Sequence, residues 1–308
     1  MPTASVIAAP QAPAAYLFLA GGRSTGSRTL SWDATAGAAG DIALGALLDA
    51  GASLEFVRGQ LDLLGLDGWS LSVEPAKRSG LAGTYARVRA QAGPAHRRYG
   101  WIRDHLTAAP LAPGVRAWAL QIFAVLAQAE AHVHHIDVDR VHFHEVGALD
   151  AIVDVVGVAA ALDTLGVTRG HCSGVVTGFG TTSAAHGTLP VPAPAVVEIL
   201  RRSGIPASSG ALAAERLTPT GMAIIAATCQ ADGAGALGHL PPPRTTVEAV
   251  GYGAGTADHP GHPNLLRAVL CRVVSAPAAE PDEATRPGRV RGRAFTRRRR
   301  LAGRPGPV

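Results

Sequence analysis

The sharpest chemical feature of the sequence is the segment from His142 to Asp154, where two imidazoles and three carboxylates fall within thirteen residues: His142, His144, Glu145, Asp150 and Asp154. Side chains two apart on a strand face the same side, so a strand over Arg140 to His144 would present His142 and His144 together while Phe143 points into the core. Asp150 and Asp154 are four apart, which stacks both on one face of a helix beginning near Gly147. There the exposed amides and the helix dipole favour negative charge. Imidazole and carboxylate donors suit nickel, zinc, iron or manganese, and donor type alone does not choose among them. A plainer account makes the histidines surface residues and the aspartates helix caps, but so many donors in so short a span favour a metal or substrate site.

Other candidates lie outside that segment. His186, in Ala185-His186-Gly187, sits in a turn before Pro190-Val191-Pro192, from which a ligand can swing toward the same site. His132, His134 and His135 fall near a helix end, where a solvated face that stabilises the C-terminal dipole is an adequate account, and the favoured one for His132 and His135. In Thr218-Pro219-Thr220-Gly221, Thr218 can cap a helix with Pro219 at its first position, and the open amides can hold phosphate or carboxylate. A simple helix start is an equal reading. The glycines Gly251, Gly253 and Gly255 follow a strand and let backbone approach a ligand, but they lack the lysine of a P-loop and the spacing of a dinucleotide fingerprint. Asp33 and Asp41 flank a flexible Gly/Ala turn where a cation or hydroxyl can bind, although Asp41 can also cap its helix. Lys77, the only lysine, gives Schiff-base chemistry one candidate with no supporting surroundings.

These residues need elements to position them, and the pattern alternates strands with helices, a mixed α/β (α+β) architecture with a helical insertion. Strands are expected at Thr29–Asp33, Leu71–Val73, Thr84–Val88, Arg140–His144, Cys172–Thr177, Thr246–Val250 and Leu265–Val273. Helices are expected at Asp41–Ala50, Ser53–Leu64, two between Arg97 and Asp137 split by Pro110 and Pro113, then Gly147–Leu165, Pro194–Arg202 and Pro219–Cys229. Four segments result: a disordered extension over 1–28, an N-terminal α/β unit over 29–95, a helical and metal-binding α/β unit over 96–275, and a disordered Arg/Pro-rich tail over 276–308.

Composition narrows the function classes. The net charge of +5 is concentrated in a tail containing Arg297, Arg298, Arg299 and Arg300 with no interleaved aromatics, which argues against nucleic acid as a partner of the folded part. The apolar stretch near Ala14 to Ala20 is too short to span a bilayer and lacks the basic flank of a signal peptide, so no membrane partner is expected. Cys172, Cys229 and Cys271 are isolated, with no CxxC spacing, which disfavours a disulfide framework or a thiolate cage and points to the cytoplasm.

The run Val141-His142-Phe143-His144-Glu145-Val146-Gly147-Ala148-Leu149-Asp150, with Ala151-Ile152-Val153-Asp154, resembles the central motif of the nickel insertion proteins of the lactate racemase system. Further matches follow in the family's order: Asp33 through Asp49, Ala185-His186-Gly187 with Leu189 through Ala195, Thr218-Pro219-Thr220-Gly221, and Gly251 through Thr256 with Pro263-Asn264. The resemblance implies a nickel chelatase (cyclometallase, lyase class) that inserts nickel into pyridinium-3,5-bisthiocarboxylic acid mononucleotide, forming two nickel–sulfur bonds and one nickel–carbon bond. It implies use of CTP with manganese or magnesium, and a recipient racemase or epimerase of 2-hydroxyacids. Such a protein must release its metal, which exchangeable imidazole and carboxylate ligands permit. The carbon bond also requires loss of a ring proton, for which Glu145 or a neighbouring aspartate is the expected base. The chain departs from the pattern in keeping only His96 of a histidine-rich stretch and in lacking the family's C-terminal domain, so a separately encoded C-terminal portion is an expected partner, and a homo-oligomer is admitted. Two other readings stay open: a metallochaperone that only carries nickel, and a metal-dependent hydrolase.

Overall fold

The structure, a computed structural model, describes residues 28–91, 97–143, 149–184, 186–229 and 245–273. His144, Glu145 and His96 lie outside the described residues, as do the two termini expected to be disordered.

Strand β1 (Arg28–Ala34) is central: it runs parallel to β4 (Val167–Val176) on one side and antiparallel to β9 (Leu265–Val273) on the other. Thr29, Leu30, Ser31 and Trp32 are all buried, as in a strand covered on both faces. Strands β2 (Trp69–Arg78) and β3 (Leu81–Ala90) form an antiparallel hairpin, and β8 (Thr245–Ala254) pairs antiparallel with β9. With the short β7 (Ala207–Ser208) they make a seven-stranded sheet in the order β2-β3-β8-β9-β1-β4-β7. Residues on both sides of the expected 95/96 boundary thus share one sheet. A separate hairpin joins β5 (Gly180–Ala184) to β6 (Gly187–Val191).

Seven α-helices accompany the strands among the described residues: α1 (Gly40–Asp49), α2 (Leu54–Asp62), α3 (Tyr99–Ala108), α4 (Pro113–His134), α5 (Leu149–Thr164), α6 (Pro194–Ser203) and α7 (Pro219–Thr228). Prolines open α4, α6 and α7, where the missing N–H costs nothing and the ring presets the backbone. Ser53 caps α2 by accepting from the Phe56 amide, as the sequence suggests. The architecture is the expected mixed α/β.

Two helices matter most for the site. Helix α1 lies against β8 and β3 almost backbone to backbone. A Cβ added at Gly253 would sit 1.8 Å from the Ile42 carbonyl oxygen, one at Gly251 2.1 Å from that of Ala46, and one at Gly45 2.4 Å from that of Thr84. Asp49 fastens the far end, accepting from the Thr84 hydroxyl and the Tyr252 amide. Helix α5 is apolar on nearly every face and packs among α1, α2 and α4. Between Leu149 and Leu162 its only ionisable residues are Asp150 and Asp154. A core helix with two carboxylates confined to its first turns directs both to one end.

The expected strand over Arg140–His144 is a correction. A single 3-10 turn occupies Val138–Arg140, begun by Asp137, whose side chain accepts from the Asp139 amide. That cap commits the backbone to a turn, and His142 makes only an isolated bridge with Arg98. Phe143 is buried, as expected.

Candidate functional site

Three helices begin at one cavity. The first turns of α1, α5 and α7 bring Asp41, Asp150, Asp154, Thr218 and Thr220 to a space of about 330 Å³, which Glu215 also borders. Asp150 and Asp154 share a face, as their spacing predicts, and Asp41 joins them from another helix. Gly40 makes this approach possible: a Cβ there would fall 2.5 Å from Asp154 Oδ2 and 2.8 Å from its Cβ. The Gly/Ala turn before α1, expected to be flexible, is tied down. The Ala38 amide donates to the Arg216 carbonyl, the Thr218 amide donates to the Ala38 carbonyl, and the buried Arg216 guanidinium donates to the Ala36 carbonyl.

Each carboxylate is held differently. Asp41 Oδ1 accepts from the Ile42 amide at 2.8 Å, and Asp150 Oδ1 from the Ala151 amide at 2.9 Å. Asp154 is partly exposed at the cavity, yet its Oδ1 is shielded from solvent and accepts no hydrogen bond. Burial, then the charges of Asp41 and Asp150, push the Asp154 carboxyl well above the ordinary carboxylate range. Burial also raises Asp41, against the pull of its backbone hydrogen bonds. Without a cation the cluster therefore retains a proton above the pH at which an exposed carboxyl would lose it. A divalent ion can take that proton's place. The first turns of the three helices add partial positive charge, the setting that also receives phosphate oxygens, with the Ile42, Ala151 and Gly221 amides already taken by Asp41, Asp150 and Thr218. Thr218 caps α7 by accepting from the Gly221 amide.

The other expected residues are distributed more widely. His142 lies outside this cavity's lining, and its Nε2 accepts from Arg98 Nε at 2.8 Å. That lone pair is the one a metal at this nitrogen would need. Asp33 is an ion-pair partner of Arg267 at 2.5 Å and accepts from the Thr35 hydroxyl and amide. Gly251 and Gly253 have their Cβ space filled by α1, and Gly255 faces Asn264 and Ile42, so close packing accounts for all three.

His186 belongs to a second cavity, of about 260 Å³, with His134 and Glu130. Its ring centroid lies 5.0 Å from that of His134. The helix-dipole account favoured for His132 and His135 leaves His134 without an assigned role, and Glu130 is not a sequence candidate; the available signal is their i, i+4 spacing, which places both on one face. His132 instead lies 3.7 Å from Glu198. Among the described residues, no three His, Cys, Asp or Glu side chains form a ready-made metal cage. Cys172, Cys229 and Cys271 are free thiols, with Cys172 pushed up to about 11 by burial. None of the described helices is long and apolar enough to cross a membrane.

The family model described as nickel insertion protein matches residues 30–290, nearly the whole chain. The chain belongs to the nickel insertion protein family. A family member from Citrifermentans bemidjiense, named for nickel insertion, is 47% identical over 240 residues, which are 78% of this chain and 60% of that protein. The pyridinium-3,5-bisthiocarboxylic acid mononucleotide nickel insertion protein of Nocardioides sp. is 46% identical over 78% of this chain and 59% of its own length. A relative from Roseiflexus castenholzii, also named for nickel insertion, is 44% identical over 86% of this chain and 62% of its own. The chain thus matches about three fifths of the length of these relatives. No solved structure matches it.

Proposed function

We propose that this chain takes part in inserting nickel into pyridinium-3,5-bisthiocarboxylic acid mononucleotide, and that the cavity of Asp41, Asp150 and Asp154 is where a divalent cation and the substrate meet. Membership of the family and the name of the Nocardioides relative support the substrate. The observation that carries the placement is Asp154 Oδ1, shielded and unpartnered beside two further carboxylates. A buried oxygen acceptor with no donor is stabilised by a cation, and an all-oxygen shell that keeps open positions suits a metal that must be handed on.

CTP with manganese or magnesium is part of the same proposal. Hard cations take carboxylate oxygens, which the cavity supplies, and the start of α7, with the Thr218 and Thr220 hydroxyls and the helix dipole, is suited to phosphate. The chain's own groups then have three tasks. Asp41, Asp150 and Asp154 hold and release the cation. The helix N-termini orient the mononucleotide phosphate. Glu145, five residues before Asp150 in sequence, accepts the ring proton that leaves as the carbon–hydrogen bond gives way to the carbon–nickel bond, with His144 beside it in sequence as a nickel ligand and His142 joining only through Nδ1 or on giving up its Arg98 contact. The activity is that of a lyase-class chelatase in the cytoplasm, serving a 2-hydroxyacid racemase and working with a C-terminal portion like that of longer relatives.

The test mixes the chain with Ni²⁺, CTP, Mn²⁺ and the thiolated pyridinium mononucleotide, then weighs the products by mass spectrometry. Gain of nickel with loss of a ring proton is expected for the wild type and not for Asp154→Asn. Bound nickel with an unchanged organic acceptor would indicate a carrier only. Cleavage of the acceptor would indicate a hydrolase.

A further inference from the structure

The second cavity has a geometry of its own. His134, in the last turn of α4, and His186, at the turn of the β5–β6 hairpin, approach from separate elements with ring centroids 5.0 Å apart and planes inclined by 43°. That inclination is not a flat stack. If a divalent metal lies about 2.1 Å from each imidazole nitrogen and so about 3.2 Å from each ring centre, two rings subtending about 100° at the metal have centroids about 4.9 Å apart. A centroid separation of 5.0 Å is therefore within reach of two imidazoles that share one ion.

Glu130, one helical turn before His134, places Oε2 3.4 Å from His134 Nε2. A carboxylate on one ring nitrogen of a metal-binding histidine fixes the ring and raises its basicity. His186 is exposed, His134 and Glu130 partly so, and ions can reach the cavity from solvent. Pro219, the first residue of α7, borders this cavity as well as the acidic one, so the two are neighbours.

We propose that His134 and His186, with Glu130 positioning His134, form a second metal site, at which a late first-row divalent ion such as nickel lands before passing to the acidic cavity. Imidazole donors favour such ions over magnesium and calcium, whereas the carboxylates accept both kinds. Two protein ligands with the remaining positions open make a site that binds selectively and still lets go. Nickel as the natural occupant rests on the proposed function, but the ligand set does not.

The experiment titrates the full chain with Ni²⁺ and separately with Mg²⁺ by calorimetry. The wild type is expected to take two equivalents of Ni²⁺, the His134→Ala/His186→Ala variant one, and Asp154→Asn to keep the equivalent assigned to the histidines. Mg²⁺ is expected to compete only at the acidic cavity. Glu130→Gln is expected to weaken the histidine site by about 10–100-fold without abolishing it. Should the double variant misfold, His186→Gln, at an exposed hairpin turn, serves instead, with at least a tenfold loss of affinity expected. Paramagnetic broadening of the His134 and His186 ring resonances by sub-stoichiometric Ni²⁺ gives a readout independent of stability. Equal nickel stoichiometry and affinity in the wild type and the histidine variants would overturn the proposal. Loss of one equivalent in a protein that never forms the nickel product would leave this site standing while the proposed function fell.

Discussion

Asp154→Asn removes a charge that the fold is badly placed to hold, and its effect on stability can be worked from the site. The ordinary value for an aspartate carboxyl is 3.8, and in the folded chain Asp154 lies well above it, first through burial and then through Asp41 and Asp150. Below pH 3.8 both folded and unfolded chains carry the proton, and Asp154 imposes no penalty. As pH rises past that value the unfolded chain releases the proton while the folded chain keeps it, so stability falls until the raised folded value is passed. Asparagine has nearly the same shape and no titration, so the variant lacks this slope. Asparagine keeps an unpartnered oxygen there and escapes only the cost of burying the charge, about 1–3 kcal/mol. At about 2–4 °C per kcal/mol for a domain of this size, metal-free Asp154→Asn is expected to melt about 2–12 °C higher than the wild type at pH 7. Circular dichroism melts in EDTA from pH 3.5 to 8 measure this, and the difference between the proteins should open with rising pH. Parallel stability curves across that range would refute the placement of a protonated, unpartnered carboxyl at this position. Nickel should reverse the order, stabilising the wild type and doing less for the variant.

Other perturbations address the remaining links. Nickel binding at the acidic cavity should release a proton between pH 3.8 and the raised value of Asp154, read as a dependence of the calorimetric heat on the ionisation enthalpy of the buffer, and affinity should rise with pH. Gly40→Ala drives a Cβ into the Asp154 carboxylate, so it should cost about 1–3 kcal/mol in urea unfolding and weaken metal binding at the cavity, with the histidine pair unaffected. Gly253→Ala meets the Ile42 backbone at 1.8 Å rather than a movable side chain, and a loss of about 3 kcal/mol or more is expected. Glu198, bonded to Arg201 and Arg202, is lowered from 4.5 to about 2, the Arg201 hydrogen bond being the largest cause. Its contribution is in place above pH 4.5 and lost as pH falls toward 2, so the stability gap between the wild type and Glu198→Gln should close over that interval in acid unfolding.

Local pattern by itself determined most of the elements. The Ser53 cap, the Pro219 helix start, the final strand over Leu265–Val273 and the pairing of Asp150 with Asp154 on one face were legible because each depends on near neighbours in the chain. Family membership was legible for a related reason: its motifs occur in order along the chain, and order is a property of sequence. Only the tertiary structure decided which donors meet. Asp41 lies more than a hundred residues from Asp150, and nothing in the spacing says that α1 and α5 start at one cavity; the closeness of Gly40 to Asp154 does. Gly251 and Gly253 read as a ligand loop until α1 is seen to fill the space above them. Nothing in the spacing pairs His134 with His186; the β5–β6 hairpin brings the two rings together. Periodicity along a chain fixes which side chains share a face, whereas the meeting of faces depends on long-range packing.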